Sequence, residues 1–453
     1  MAGVVERYAA PDMPSTTRRV RLIGAAVVLA AGAIGIAAAT GAFGPSAAEI
    51  AAERAAAAAA RAAAAKHRLL VAETRTADLA SRHVAVVLPS RTGAPAPAAP
   101  ARLFSSPLAR HAVYGFVPYW ELGALDHADY TDTSVLAYYG VEVGATGGIL
   151  HSGNGWIDLA APAFSSFVTS AHQAGDRVLL TASTTDPGVV HDLARSPSST
   201  GARLGEQLAA VALAGHLDGI DLDIEGRSTN DRAGFVRFVS SLPQAFHAAD
   251  PTGQVALDTY PQSAAYAGDF FDVAKLAPEV DTVVVMAYDM VDPAAASANS
   301  PLASPTLGLS DVGSLLGYVK VVPAAKLVLA LPFYGYDFTT ASSAPGAAAL
   351  TSPTAVTYAS IIAAGHPARW DSASETPYAV YKNGQSWHEI WYDDPVSLAV
   401  KTALAADLGL GGVGAWALGQ QGGSSAMLEA LDGGRPPVKL PLAAHGGVSG
   451  AAG

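Results

Sequence analysis

The chain has 453 residues, half of them hydrophobic and 15% charged, enough for one large domain with appendages or two or three modest ones. Its net charge of −12 argues against nucleic acid or an anionic membrane surface as a partner for the body of the protein. With no cysteine, disulfides, thiolate catalysis and cysteine–zinc sites are excluded, while export is not.

Residues 1–43 read as a cytoplasmic stub followed by a membrane anchor or signal segment. Leu22–Phe43 is free of charge over 22 residues, long enough to cross a ~30 Å hydrocarbon core at 1.5 Å per residue. Arg18, Arg19 and Arg21 precede it, which favours an N-terminus inside and the remainder outside. Small residues at Ala37-Ala38-Ala39 and Thr40-Gly41-Ala42 suit cleavage, so a secreted product is the competing reading. On either reading the protein is extracytoplasmic, single-pass or secreted. Residues 44–108 follow as a stalk or linker. Ser46–Leu70 is alanine-rich with scattered charges, a solvated helix by propensity, and Arg91–Pro107 is an Ala/Pro-rich extended spacer.

From 109 to 432 the texture changes to recurring apolar runs: Val113–Tyr119, Ser134–Tyr139, Arg177–Ser183, Asp218–Glu225, Gln254–Tyr260, Thr282–Tyr288, Lys326–Phe333 and Gly411–Ala417. Helical patterns such as Gly201–Ala214, Arg232–His247 and Pro395–Leu408 lie between them. Near-continuous apolar strands alternating with helices predict a parallel sheet covered by helices, and eight such units suit an α/β (β/α)8 TIM barrel. The gap from Thr339 to Asp394 exceeds an ordinary loop and predicts a small α+β insertion between the seventh and eighth strands. Its aromatics Trp370, Tyr378, Tyr381 and Trp387 suit stacking on sugar faces or packing within the insertion. Residues 433–453 are Gly/Pro/Ala-rich and read as a flexible tail.

The fourth run, Asp218-Gly-Ile-Asp-Leu-Asp-Ile-Glu225, carries the chemistry. In a strand, alternate side chains share a face, so Asp221, Asp223 and Glu225 form a column with neighbours about 6.6–7 Å apart. Ile220, Leu222 and Ile224 occupy the other face. Burying three like charges is costly, and a structural strand would carry Val or Thr there. Barrel active sites lie at the C-terminal ends of the strands, which brings Glu225 to the rim with Asp223 and Asp221 beneath it.

These residues resemble glycoside hydrolase family 18, the chitinases and related N-acetylglucosaminidases, whose signature is DxxDxDxE. Four further segments match in order: Tyr114-Gly-Phe-Val-Pro-Tyr-Trp120, Met286-Ala-Tyr-Asp289, Leu331-Pro-Phe-Tyr-Gly-Tyr336, and Trp391-Tyr-Asp-Asp394 followed by Gly411-Gly-Val-Gly-Ala-Trp416. One departure stands out: the family's Ser-x-Gly-Gly on the third strand reads Thr181-Ala-Ser-Thr184 here.

The resemblance implies an exported retaining hydrolase of β-linked N-acetylglucosamine glycans, such as chitin, chitooligosaccharides or peptidoglycan. Its mechanism would be the substrate-assisted exception to the two-carboxylate scheme, through an oxazolinium intermediate. Glu225 would be the general acid and then base. Asp223 would hold the acetamido N–H, Asp221 would share charge with Asp223, and Tyr288 would orient the acetamido oxygen. Trp416 would floor the site, with Asp289, Met286, Tyr114, Trp120 and Tyr336 as further substrate-binding residues. The partner implied is an N-acetylglucosamine-containing polysaccharide, met by a monomer held to the membrane through its N-terminal segment, with no nucleic acid involved. The alternative is a catalytically weak or silent, lectin-like barrel. No cofactor and no metal are expected. His388-Glu389 lacks the second histidine of a zinc motif, and Gly409-Leu-Gly-Gly-Val-Gly414 precedes a strand where a dinucleotide loop must follow one.

Overall fold

The computed structural model describes residues 112–125, 127–304 and 309–433. The anchor or signal, the stalk and residues 434–453 of the expected tail lie outside the described residues. Among the described residues no helix is long and apolar enough to cross a membrane.

Fourteen strands are present among the described residues. The first eight are β1 (Ala112–Pro118), β2 (Val135–Val143), β3 (Ile149–Leu150), β4 (Arg177–Thr184), β5 (Gly219–Ile224), β6 (Gln254–Thr259), β7 (Thr282–Met286) and β8 (Leu327–Pro332). Then come β9 (Tyr334–Thr340), β10 (Thr354–Thr357), β11 (Arg369–Asp371), β12 (Thr376–Asn383), β13 (Ser386–Trp391) and β14 (Gly412–Trp416). Parallel pairing runs β1-β2-β4-β5-β6-β7-β8-β14 and returns to β1, which closes an eight-stranded barrel. The short β3 pairs antiparallel with the end of β2, outside that circuit. All eight apolar runs read from the sequence are barrel strands, within a residue or two at their ends save that β2 continues four residues past Tyr139 to Val143.

Alternation along the strands divides the core in two. Tyr114, Phe116, Val135, Ala137, Leu179, Ala256, Val284, Val328 and Ala330 pack together inside the barrel. The opposite faces, including Ile220, Leu222 and Ile224, join the helices in a much larger apolar cluster. Helices Pro197–Gly215 and Arg232–Ala249 flank β5 and press close because their contact is made of small residues. A Cβ on Gly205 would lie 2.3 Å from the Leu242 carbonyl oxygen. Gly219 opens β5 with φ 155°, where a Cβ would stand 2.2 Å from the Gln254 carbonyl oxygen, so only glycine lets β5 approach β6 there.

The insertion is a five-stranded antiparallel sheet in the order β10-β9-β13-β12-β11, with helix Tyr358–Ala364 beside it. It begins at Tyr334, five residues before the expected Thr339, because Pro332 ends the barrel strand and the chain re-enters a strand after Phe333. Tyr378 stacks on Trp391 at 4.7 Å in the core of this unit, and Trp370 donates its ring N–H to Glu375. Tyr378 is thus packed within the insertion.

Candidate active site

The acids of β5 stand as the alternation requires. Asp221 is 1% exposed and Asp223 6%, while the Glu225 side chain, one residue past the strand, is 21% exposed. Exposure therefore rises toward the C-terminal rim. Burial lifts the Asp221 carboxyl to about 7, against which a hydrogen bond from Thr181 Oγ1 (2.8 Å) acts. Asp223 is raised further above the ordinary carboxylate range, by burial first and then by the charges of Glu225 and Asp221. Thr181 and Ser183, the departure on the third strand, thus sit beside the acids, and Thr181 is a working donor to them.

A fourth carboxyl belongs to the group. Asp258 on β6 is 3% exposed, and β5–β6 pairing at Leu222–Leu257 brings Asp223 and Asp258 to the same height on adjacent strands. Neighbouring strands lie about 4.8 Å apart. Burial and then the charges of Asp221, Asp223 and Glu225 raise Asp258 well above the ordinary range. One carboxyl oxygen each of Asp221, Asp223 and Asp258 is buried without a hydrogen-bond partner among the described residues. The signal for Asp258 was present in Gln254-Val-Ala-Leu-Asp258, where period-two alternation puts it on the inner face with Ala256.

Around the acids stands an aromatic wall. Trp416 closes β14 and meets Tyr139 edge-on at 5.0 Å and Phe116 at 5.8 Å. Tyr139 meets Trp120 at 6.2 Å, and Trp120 is 53% exposed. The rings therefore run from the barrel mouth outward. Burial and the charge of Asp223 push the Tyr139 hydroxyl up to about 12. Tyr288, raised by burial and then by Asp258, likewise stays a protonated donor at neutral pH. Its ring meets Tyr334 edge-on at 6.1 Å.

Asp289 adopts φ 57°, its N–H donating to Asn299 Oδ1 at 2.7 Å. Its Oδ1 accepts from both Tyr334 and Tyr336, the latter at 2.7 Å. This ties the first strand of the insertion to the rim. Asp289 and Tyr336 are brought to the site as expected from the sequence. Tyr139, Asp258 and Tyr334 join them unannounced, as does Tyr260, whose ring carries the Arg227 guanidinium and whose hydroxyl donates to the Gly226 carbonyl at 3.2 Å.

One expectation is corrected. Tyr114 lies in the N-terminal part of β1, 3% exposed, with its hydroxyl bonded to Thr282 and Gln254 at the opposite end of the barrel from Glu225. It cannot touch a ligand at the rim. Met286, 7% exposed, ends β7 two residues beyond the interior Val284, so alternation puts it on the inner face at the rim, as expected from the sequence.

The family model for Glycosyl hydrolases family 18 matches residues 95–421. The chain belongs to glycosyl hydrolase family 18. It is a glycoside hydrolase, and its relatives cover several activities. Rat di-N-acetylchitobiase is 26% identical over 278 residues, spanning 56% of this chain and 72% of that protein. The cortical fragment-lytic enzyme of Bacillus anthracis is 28% identical over 210 residues, 44% of this chain and 46% of that one. Among solved structures, the class V chitinase from Nicotiana tobaccum superposes with a TM-score of 0.63 at 18% identity, covering 72% of this chain and 99% of its own. That likeness speaks for the barrel fold.

Proposed function

We propose that the chain hydrolyses β-linked N-acetylglucosamine glycans with retained configuration, the substrate's own 2-acetamido carbonyl acting as nucleophile. The observation that carries this reading is the column Asp221–Asp223–Glu225, whose exposure rises to Glu225 at a rim walled by Trp416, Tyr139 and Tyr288. Glu225 reaches solvent and donates a proton to the glycosidic oxygen. Asp223 and Tyr288, both directed into the enclosed mouth, hold the acetamido group against the anomeric carbon. The positive charge that develops on the oxazolinium ring is met by buried carboxylate of the Asp221–Asp223–Asp258 group, in a site where water screens little. Four carboxyls this close do not all ionise together, which leaves a proton available within the group near neutral pH. Names of relatives such as di-N-acetylchitobiase and the cortical fragment-lytic enzyme support a substrate built on N-acetylglucosamine.

The test is the anomer first released from chitooligosaccharides, read by proton NMR, alongside analogues without the 2-acetamido group. A β-anomer from the acetylated oligomer and no cleavage of the others is the expected result. An α-anomer, or equal cleavage of both, would overturn the substrate-assisted mechanism. Binding without any hydrolysis would return the chain to a lectin-like barrel. We further propose an extracytoplasmic, membrane-tethered or secreted location, supported by the arginine-flanked Leu22–Phe43 run. Resistance of the barrel to protease added to spheroplasts, with no barrel released to the medium, would overturn it.

A further inference from the structure

The residue beyond the catalytic strand that has no part in the mechanism so far is a cation. Arg227 follows Glu225 by two positions and donates Nη2 to Glu225 Oε2 at 3.1 Å. Its guanidinium carbon lies over the Tyr260 ring at 4.5 Å. The side chain is nonetheless 69% exposed, so it stands in the open mouth and is not sealed in the wall. The turn that aims it is fixed. Gly226 is pressed on Phe270, where a Cβ would come within 2.2 Å, and its carbonyl accepts from the Tyr260 hydroxyl at 3.2 Å.

A guanidinium this exposed is free to exchange partners, and a substrate anion arriving beside Glu225 can take it over. The sugar that departs with its C4 oxygen lies beside Glu225 by the definition of the acid's role. A carboxylate on a carbon adjacent to that C4, either as an ether-linked acid on C3 or as a uronic carboxyl on C5, sits a few bonds from the proton being transferred. It is therefore within range of a guanidinium already touching the acid. A planar guanidinium supported on an aromatic ring is suited to bidentate capture of a carboxylate. A neutral chitin sugar offers only hydroxyls at those positions. Arg227 places a positive charge on the leaving-group side of the acids.

We propose that Arg227 is the specificity residue of the leaving-group subsite, and that the glycan cleaved there carries a carboxylate on the leaving sugar. Capture of that carboxylate moves the guanidinium from Glu225 Oε2 onto the substrate and fixes the leaving sugar beside the acid. The inference rests on the glycoside-hydrolase reading above and deepens it.

The experiment compares kcat/KM of the full chain and of Arg227→Gln and Arg227→Lys on three soluble oligomers. These are chitooligosaccharide, peptide-free peptidoglycan strands with their lactyl carboxylates, and hyaluronan oligomers with uronic carboxylates. The lactyl strands are also offered with the carboxylate converted to its methylamide. Wild type should favour one acidic oligomer over chitooligosaccharide, and which one identifies the source of the carboxylate. In Arg227→Gln the acidic-to-neutral ratio should fall about tenfold, the scale of a charge-assisted hydrogen bond, with partial rescue in Arg227→Lys. Amide capping should do the same to the wild-type protein, with no variant needed. A ratio that neither the substitution nor the capping moves overturns the proposal, as does wild-type cleavage of chitooligosaccharide alone. Cleavage of none of the oligomers would instead sink the hydrolase reading beneath it.

Discussion

The two ends of the barrel are both polar, yet they are finished differently. At the N-terminal end Tyr114, Gln254 and Thr282 bond one another, with Gln254 Nε2 donating to Thr282 Oγ1 at 3.0 Å and Arg177 donating to Gln254 Oε1 at 3.1 Å. Lys326 beside them caps the carbonyls of Ala277 and Val280. Tyr114, Arg177, Gln254, Thr282 and Lys326 line a cavity of about 390 Å³, and the hydrogen bonds above pair them with one another or with backbone carbonyls. At the C-terminal end Asp221, Asp223 and Asp258 each keep a buried oxygen without a partner among the described residues. Unmet polar groups in a barrel cost stability, and a fold keeps them where a ligand will use them.

The sharpest break in the comparison comes at the rim. Glu225→Gln preserves shape and removes the proton, and it should lower kcat by roughly 10² to 10⁴ while calorimetry finds oligosaccharide affinity near wild type. Undiminished turnover would end the assignment of Glu225.

Next in size is the cost of burying the acids. Asp221 titrates near 7 in the folded chain against 3.8 when unfolded, so its stabilising contribution is complete below about pH 4 and is lost as pH rises to 7. Denaturant titrations should find Asp221→Asn gaining on wild type across that window, by at most about 1.4 kcal/mol per pH unit. A difference that stays constant with pH would mean the carboxyl is already ionised in the fold.

Asp258 sharpens the same point with a smaller effect. Asp258→Asn removes a neighbouring negative charge, which should lower the titration of Asp223 and move the pH–rate profile toward acid, with kcat/KM down about tenfold. A fall in rate with an unmoved profile would reduce Asp258 to a packing residue. Smallest is the change at the matched end. Tyr114→Phe should cost about 1 kcal/mol of unfolding free energy and leave kcat unaltered, checked by thermal melts beside initial rates. A loss of activity without a loss of stability would reconnect Tyr114 to the chemistry.

Much of this was legible before any tertiary contact was known, because alternation is local. Period two in Asp218–Glu225 sorts acids from aliphatics without reference to a neighbour, and eight apolar runs between helices leave few folds that bury both faces. Chain position in β1 also argued against Tyr114, since a residue near the start of a barrel strand lies far from the rim. Trp120, Tyr288, Asp289, Tyr336 and Trp416 lie at or beyond strand ends, where alternation and the strand-end rule together point to the cleft. Met286, the last residue of β7 on the face of Val284, follows the same rule.

What the sequence determined by itself was the column on β5 and the barrel that presents it, since both follow from which residues can share a face. What only the tertiary structure decided was company across strands. Whether Asp258 stands level with Asp223, whether Tyr139 reaches Trp416, and whether Arg227 lies on Tyr260 and against Glu225 depend on strand register and on how the turn at Gly226 meets Phe270. Register is set by the packing of all eight strands at once, and no single segment carries it.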